Sequence, residues 1–145
     1  MKIFGHPLHI MLIHFPSALF PMDFVCSLLA FYLGSDLFTN ASFCAMAGGV
    51  LAGFFAIITG AADLIHVSEQ KSAVVKKVLI HGSINTLVVM GYSVLAFISI
   101  KNYPALVSDT VPEIIIKGFL VTFMIAGNYI GGNLILKDRI GLEKD

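Results

Sequence analysis

Charged residues are scarce in this sequence. Aspartate, glutamate, lysine and arginine make up 12% of its 145 residues, whereas 57% are hydrophobic and the mean hydropathy is +0.90. A soluble domain carries about 25% charged residues, and here the few charges lie between long apolar runs. The composition therefore excludes a soluble enzyme or binding domain. It predicts an integral membrane protein that crosses the bilayer several times.

Four apolar runs are long enough to cross a bilayer, which takes about 20 residues. They lie at about 8–33, 42–64, 78–100 and 113–136. We therefore predict an all-α fold, a bundle of four transmembrane helices that forms a single domain over residues 1–145. The first run is too long for the core of a signal peptide and contains histidines, so we expect it to remain in the mature protein.

The positions of lysine and arginine predict how the spans are oriented, because cytoplasmic loops are enriched in both residues. Seven of the nine lie at the two termini and in the second loop, and the other side has only Lys101 and Lys117. We therefore expect a multi-pass protein of the prokaryotic inner (cytoplasmic) membrane, with the N- and C-termini in the cytoplasm.

Several signatures of soluble enzymes are also missing. The sequence has no nucleophile elbow, phosphate-binding loop or dinucleotide fingerprint, and no HxxxH or HExxH pair, so it names no catalytic residue. A net charge of zero gives no indication of nucleic acid. Its two cysteines, Cys26 and Cys44, are predicted to lie in the leaflet opposite the histidines, which disfavours a mixed Cys/His metal site. We interpret them as small apolar residues buried in the bundle.

All five histidines are predicted to lie in one leaflet or its interface. His6, His9 and His14 begin the first span in "GHPLHIMLIHFP", His66 lies where the second span ends, and His81 lies where the third begins. Imidazoles are costly in hydrocarbon unless something pairs with them or binds to them. This layering predicts a polar site that the helices share.

The other spans supply polar residues at the same depth. Small residues recur every three or four positions from Gly49 to Gly60, which indicates a close helix contact. Asp63 continues this spacing, so its side chain is expected to point into the bundle. Asn85 lies one turn beyond His81, on the same helical face. Asp23 is expected near the midplane, where an acid must be protonated, paired or exposed to water.

Motifs over nearly the whole chain resemble a known family. They are "GHPLHIMLIHFP" at 5–16, "TGAAD" at 59–63, "HGSIN" at 81–85 and "GGNLILKDRIG" at 131–141. The chain resembles a prokaryotic family of small four-helix membrane proteins of unknown function, which opens with a GHPxHPxxxHFP-like signature and closes with a GG-containing helix end. By motif position, its signature residues here are His6, His9, His14, Asp63, His81, Asn85, Gly131 and Gly132.

The chain departs from this signature at Ile10, where a second proline is usual. The first turn is then less rigid, which leaves the placement of His9 open. Some relatives look to be joined to Rieske-type iron–sulfur domains. By analogy alone, that association favours electron transfer.

The first functional hypothesis is a b-type haem for electron transfer in the membrane. Neutral imidazoles from facing helices are common axial ligands, and His14 with His81 is the preferred pair. Gly49, Gly53 and Gly60 would let a flat ring approach the second helix. The full set of candidate cofactor-binding residues is His14, His81, His9, Asp63 and Asn85.

Three other possibilities remain open. Without a porphyrin, a zinc, copper or iron ion could be bound by His9, His14, His66 and His81. The other two have no prosthetic group. One is an accessory or structural subunit whose histidines hydrogen-bond one another and Asp63, and the other is a pathway for protons or small solutes through Asp23.

Against a pathway, the outer half shows only Ser93, Thr122 and Asn128 as polar candidates within the spans. Whether the protein is an enzyme stays undecided. The expected partners are the lipid bilayer, redox proteins and a second copy of the chain, and no nucleic acid.

Overall fold

The structure is a computed structural model that describes residues 2–3, 6–67 and 72–138. Within these ranges, four helical segments are long and apolar enough to cross a membrane. The predicted all-α, four-helix membrane fold is thereby confirmed.

The elements follow one another with short connections. A short antiparallel pair, β1 (Lys2–Ile3) and β2 (His6–Pro7), precedes the helices, with Lys2 opposite Pro7 and Ile3 opposite His6. The helices are α1 (Leu8–Leu12), α2 (His14–Leu33), α3 (Asp36–Val67), α4 (Ser72–Ile100) and α5 (Val111–Leu136). Three of them begin before the predicted spans, α3 and α4 by six residues each, because a helix continues into the interface beyond its apolar core.

The first span is broken at Ile13, between α1 and α2. Pro16 lacks the N–H that would otherwise donate to the carbonyl of Leu12, so the ladder of hydrogen bonds is interrupted at this point. The backbone still connects the two helices, since the N–H of Ile13 donates to His9 and that of Ser17 to Ile13. The break changes the angular relation between side chains on either side of it.

The ends of the helices follow from their sequences. α2 ends at Gly34, which has a φ of 59° and donates its N–H to the carbonyl of Ala30, in the left-handed cap that glycine favours. α5 begins with a capping box, in which the backbone N–H of Thr110 donates to Glu113 over 2.7 Å. Gly34 thus caps the end of α2, and Thr110 with Glu113 caps the start of α5.

The middle of the bundle is apolar and closely packed. α2 packs mainly against α3, and α4 against α5. The rings of Phe20 on α2 and Tyr92 on α4 stack, with centroids 3.9 Å apart and planes within 1° of parallel. The rest of this core consists of Met46, Val88, Val89, Leu95 and Met124.

The predicted small-residue face of α3 receives side chains from its neighbours. A Cβ atom at Gly49 would lie 2.6 Å from Cε1 of Phe20, and one at Gly53 would lie 2.7 Å from Cγ2 of Val89. The flat ring that approaches this helix at Gly49 is therefore the protein's own phenylalanine.

Replacing Gly49 with alanine is expected to destabilise the bundle. The added Cβ meets Phe20, which is fully buried and stacked on Tyr92 and so has little room to move. Overpacking of this kind costs roughly 1–3 kcal/mol. The matched control is Gly82→Ala, because a Cβ at Gly82 meets nothing within 4 Å and alanine is the better helix former. Thermal unfolding in detergent should show a lower midpoint for Gly49→Ala alone, and equal midpoints would contradict this packing.

The outside of the bundle is apolar, as a bilayer requires. Large hydrophobic side chains such as Leu37, Leu87 and Phe119 are exposed on the surface. By contrast, Asp23 and Lys117 are each 0% exposed. In lipid, polar groups must find partners within the protein, so these buried residues are expected to be paired.

Candidate functional site

His9 on α1 is packed against α3. Its Nδ1 lies 2.9 Å from the carbonyl oxygen of Ala56 and 3.4 Å from the hydroxyl of Thr59. A carbonyl only accepts, so Nδ1 carries the proton in this hydrogen bond and Nε2 of the neutral ring bears the lone pair. The ring lies against Gly60, where a Cβ would come within 2.8 Å of its Cε1. His9 therefore points into the bundle.

His81 on α4 is held in the same way by α5. Its Nδ1 donates to the carbonyl oxygen of Gly127 over 2.8 Å. A Cβ at Gly131 would lie 2.6 Å from its Cε1, so the ring rests on the backbone there. The amide nitrogen of Asn85 also lies 3.2 Å from Nδ1. Since both groups are donors, this is a contact, and Asn85 donates instead to the carbonyl of His81 over 3.0 Å.

These residues lie at one end of the bundle. His81 and Asp63 both act electrostatically on His9, and Asp63 is partly buried near the end of α3. We refer to His9, Asp63, His81 and Asn85 as the histidine layer. Within residues 8–65 and 72–138, the Nε2 atoms of His9 and His81 make no hydrogen bond. In both imidazoles the Nε2 lone pair is therefore not used by a side chain or backbone group of these ranges.

His14 does not join this layer. It is the first residue of α2, and its side chain is exposed on the surface. The side chains of His6 and His66 lie outside the described residues. Among side chains 8–65 and 72–138, no three His, Cys, Asp or Glu residues are grouped to hold a metal ion. The four-histidine metal set, which includes His66, stays a prediction.

A second polar cluster surrounds Lys117 on α5. Its Nζ lies 2.7 Å from Oδ1 of Asp23 on α2 and 2.6 Å from Oδ2 of Asp109, in the connection before α5. The hydroxyls of Ser27 and Ser42 lie 2.8 Å and 3.2 Å from the same nitrogen. We call these five residues the lysine cluster. Asp23 is thus paired, which is one of the three states expected for an acid at this depth.

The sequence does not predict the lysine cluster. It places Lys117 among the charges of the outer side, and it offers only Ser93, Thr122 and Asn128 as polar residues in the outer half of the spans. In the structure, Ser93 and Thr122 donate to carbonyls of their own helices, and Asn128 donates to Ser17. The available signal was an acid and a base each lying within an apolar run, since opposite charges at membrane depth pair.

The apolar core separates the two clusters along the helices. In α3, Met46 lies between Ser42 of the lysine cluster and Ala56, which contacts His9. In α5, Met124 lies between Lys117 and Gly127, which contacts His81. The bundle therefore has a histidine end and a lysine end with a packed apolar middle.

A comparison with protein families agrees with this architecture. Residues 5–144 match a family described as "Predicted membrane protein (DUF2231)". No curated protein and no solved structure matches the chain.

Proposed function

The chain belongs to the DUF2231 family of predicted membrane proteins, and from that premise we propose that its histidine layer binds a b-type haem for electron transfer in the membrane. His9 and His81 are the proposed axial ligands, and Asp63 and Asn85 are the polar residues beside them. When bound, the haem iron supplies one-electron transfer.

One observation carries this proposal. His9 and His81 each donate Nδ1–H to a backbone carbonyl of a neighbouring helix, over 2.9 Å and 2.8 Å. Histidines that bind metals almost always donate their other ring N–H to a carbonyl, carboxylate or water, which fixes the tautomer and the ring. A single histidine would be enough to join two helices by a hydrogen bond. Two histidines at the same end of the bundle, each with Nε2 left over as a possible ligand, are more than this role requires.

The donor set fits the proposed group. Neutral imidazoles are the usual axial ligands of haem, and these two come from α1 and α4. Gly60 and Gly131 keep the rings close to the neighbouring backbones, where any side chain would displace them. His9 replaces His14 in the proposed pair, because the side chain of His14 is exposed.

The same donors also suit a bare zinc, copper or iron ion. An accessory subunit without any group uses the same two hydrogen bonds to hold helices together. These are the alternatives that a test must separate from haem.

For the membrane context, we propose the prokaryotic inner membrane with both termini in the cytoplasm, supported by the seven lysines and arginines at the termini and in the second loop. The histidine layer would then lie near the cytoplasmic surface. A redox protein on that side, or a second copy of the chain, is the proposed electron partner.

Absorption spectra of the purified protein test the proposal. We expect a Soret band in the oxidised protein that sharpens on reduction with dithionite, together with an α band. Metal analysis of the same sample should give iron. A metal-containing protein without a Soret band would favour the bare ion, and a colourless, metal-free protein would leave the accessory role.

A further inference from the structure

The lysine cluster contains more negative than positive charge. Its charged groups are the ammonium of Lys117 and the carboxylates of Asp23 and Asp109. The Lys117 and Asp23 side chains are 1% and 0% exposed, and that of Asp109 is 12% exposed. With both acids ionised, one charge remains uncompensated in an apolar bundle, and an uncompensated buried charge is costly. One proton would make the cluster neutral.

Asp23 offers an oxygen on which that proton can bind. Its Oδ1 accepts hydrogen bonds from Ser42 and Lys117. Its Oδ2 is buried and makes no hydrogen bond to the part of the chain that the structure describes. In Asp109, Oδ2 likewise accepts from both Ser27 and Lys117. The side chain of Asp109 is 12% exposed, however, so water can solvate its ionised form, whereas Asp23 is shielded from water. Protonation of Asp23 on Oδ2 removes the excess charge without breaking a hydrogen bond in either carboxylate.

A small cavity lies beside the lysine cluster, with a lining that is about half polar. It has a volume of about 10 Å³ and is lined by Ser27, Ser42, Thr39 and Asp109, among others. This volume is about what one water molecule needs. Asp109 is partly exposed at the lysine end. Ser42 lines the cavity, and its hydroxyl donates to Asp23. Hydrogen bonds then run from Asp109 to Ser27, from Ser27 to Ser42 over 2.9 Å, and from Ser42 to Asp23. A proton that enters beside Asp109 therefore has a short polar route to Asp23.

The other titratable groups that face the cluster are neutral in ordinary conditions. Tyr92 on α4 and Cys26 on α2 lie within electrostatic range of Asp23. Phenols and thiols in water lose their protons only above neutral pH. From α3 the cluster is faced by the hydroxyls of Ser42 and Thr39. The charge of the site is therefore decided by its two acids and Lys117.

We propose that the lysine cluster is a proton-binding site, in which Asp23 exchanges one proton with the aqueous phase beside Asp109. On uptake, a hydronium ion beside Asp109 gives one proton to the cluster and leaves as water. The proton is held on Asp23, and release is the reverse. Lys117 stays protonated as the fixed counter-ion throughout. The site goes beyond the proposed haem function and does not depend on it.

Infrared difference spectra of the full chain at varied pH test this site. We expect the carbonyl stretch of one protonated carboxylic acid, sensitive to deuterium exchange, which disappears as the pH rises. Asp23→Asn should abolish the band. Asp109→Asn should also abolish it, because the remaining carboxylate then pairs one to one with Lys117 and stays ionised. The control Asp36→Asn, at an exposed position, should retain it.

The variant at Asp109 keeps the test decisive if Asp23→Asn does not fold, because Asp109 lies at the margin of the cluster. A titrating band that is unchanged in Asp109→Asn would overturn the proposal. So would the absence of any such band in the unmodified protein over its stable pH range. Circular dichroism and gel filtration establish that each variant compared is folded.

Discussion

Lys117→Met lowers the free energy of unfolding by roughly 3–5 kcal/mol, the usual cost of removing one partner from a buried ion pair. The ammonium of Lys117 lies 2.7 Å from Asp23 and 2.6 Å from Asp109. Methionine fills similar space but leaves the carboxylate of Asp23, which is 0% exposed, without its counter-ion. Asp23 must then take up a proton or draw water into the bundle.

A double variant separates the lost charge from the lost packing. Removing one partner of a buried ion pair is costly because the other charge is left uncompensated, so Lys117→Met with the isosteric, uncharged Asp23→Asn should recover much of the loss. The matched control is Lys76→Met on the surface of α4, where we expect a change within about 0.5 kcal/mol. Reversible unfolding in detergent measures all three. Equal stability of Lys117→Met and Lys76→Met would show that the pair does not hold the bundle together.

The fold was predictable from the sequence because bilayer thickness sets the length of an apolar helix. The period of the α-helix likewise predicts which residues share one face of α3 and of α4. Small residues recurring up to Asp63, and Asn85 one turn beyond His81, define faces that a continuous helix preserves. In the structure Asp63 is partly buried near the end of α3, and the amide nitrogen of Asn85 lies 3.2 Å from Nδ1 of His81.

The choice between His9 and His14 could not be made in this way. On an unbroken helix the two side chains point about 140° apart, so only one of them can face the bundle. The helix is interrupted at Ile13, between the two histidines. The sequence does not give the angle between the two helical segments. The structure turns His9 inwards against Gly60 and leaves His14 exposed.

The lysine cluster was missed for a different reason. Hydropathy counts the polar residues in a span but does not show which of them meet. Asp109 comes from a connection between helices, and Lys117 lies eight residues further on in α5. Their contact with Asp23 depends on how α2 and α5 are arranged in three dimensions, which no spacing along one helix reveals.

The second large effect concerns the proposed ligands of the histidine layer. His9→Ala and His81→Ala should each lower the haem content by more than about tenfold, since even losing a partner of a metal ligand costs 10–100-fold. Each change removes the Nε2 lone pair and the hydrogen bond that fixes the ring. His14→Ala is the matched control, because it removes an imidazole from the same span whose side chain is exposed.

The measurement that tests this account most directly is the haem content per chain, read from absorption spectra of the unmodified protein and these three variants side by side. Gel filtration should first show that all four are folded. The account predicts a full Soret band in the unmodified protein and in His14→Ala, and a band near background in His9→Ala and His81→Ala. A full band in both of the latter, with loss in His14→Ala, would contradict the pairing of His9 with His81, and an unmodified protein without haem would contradict the proposed function itself.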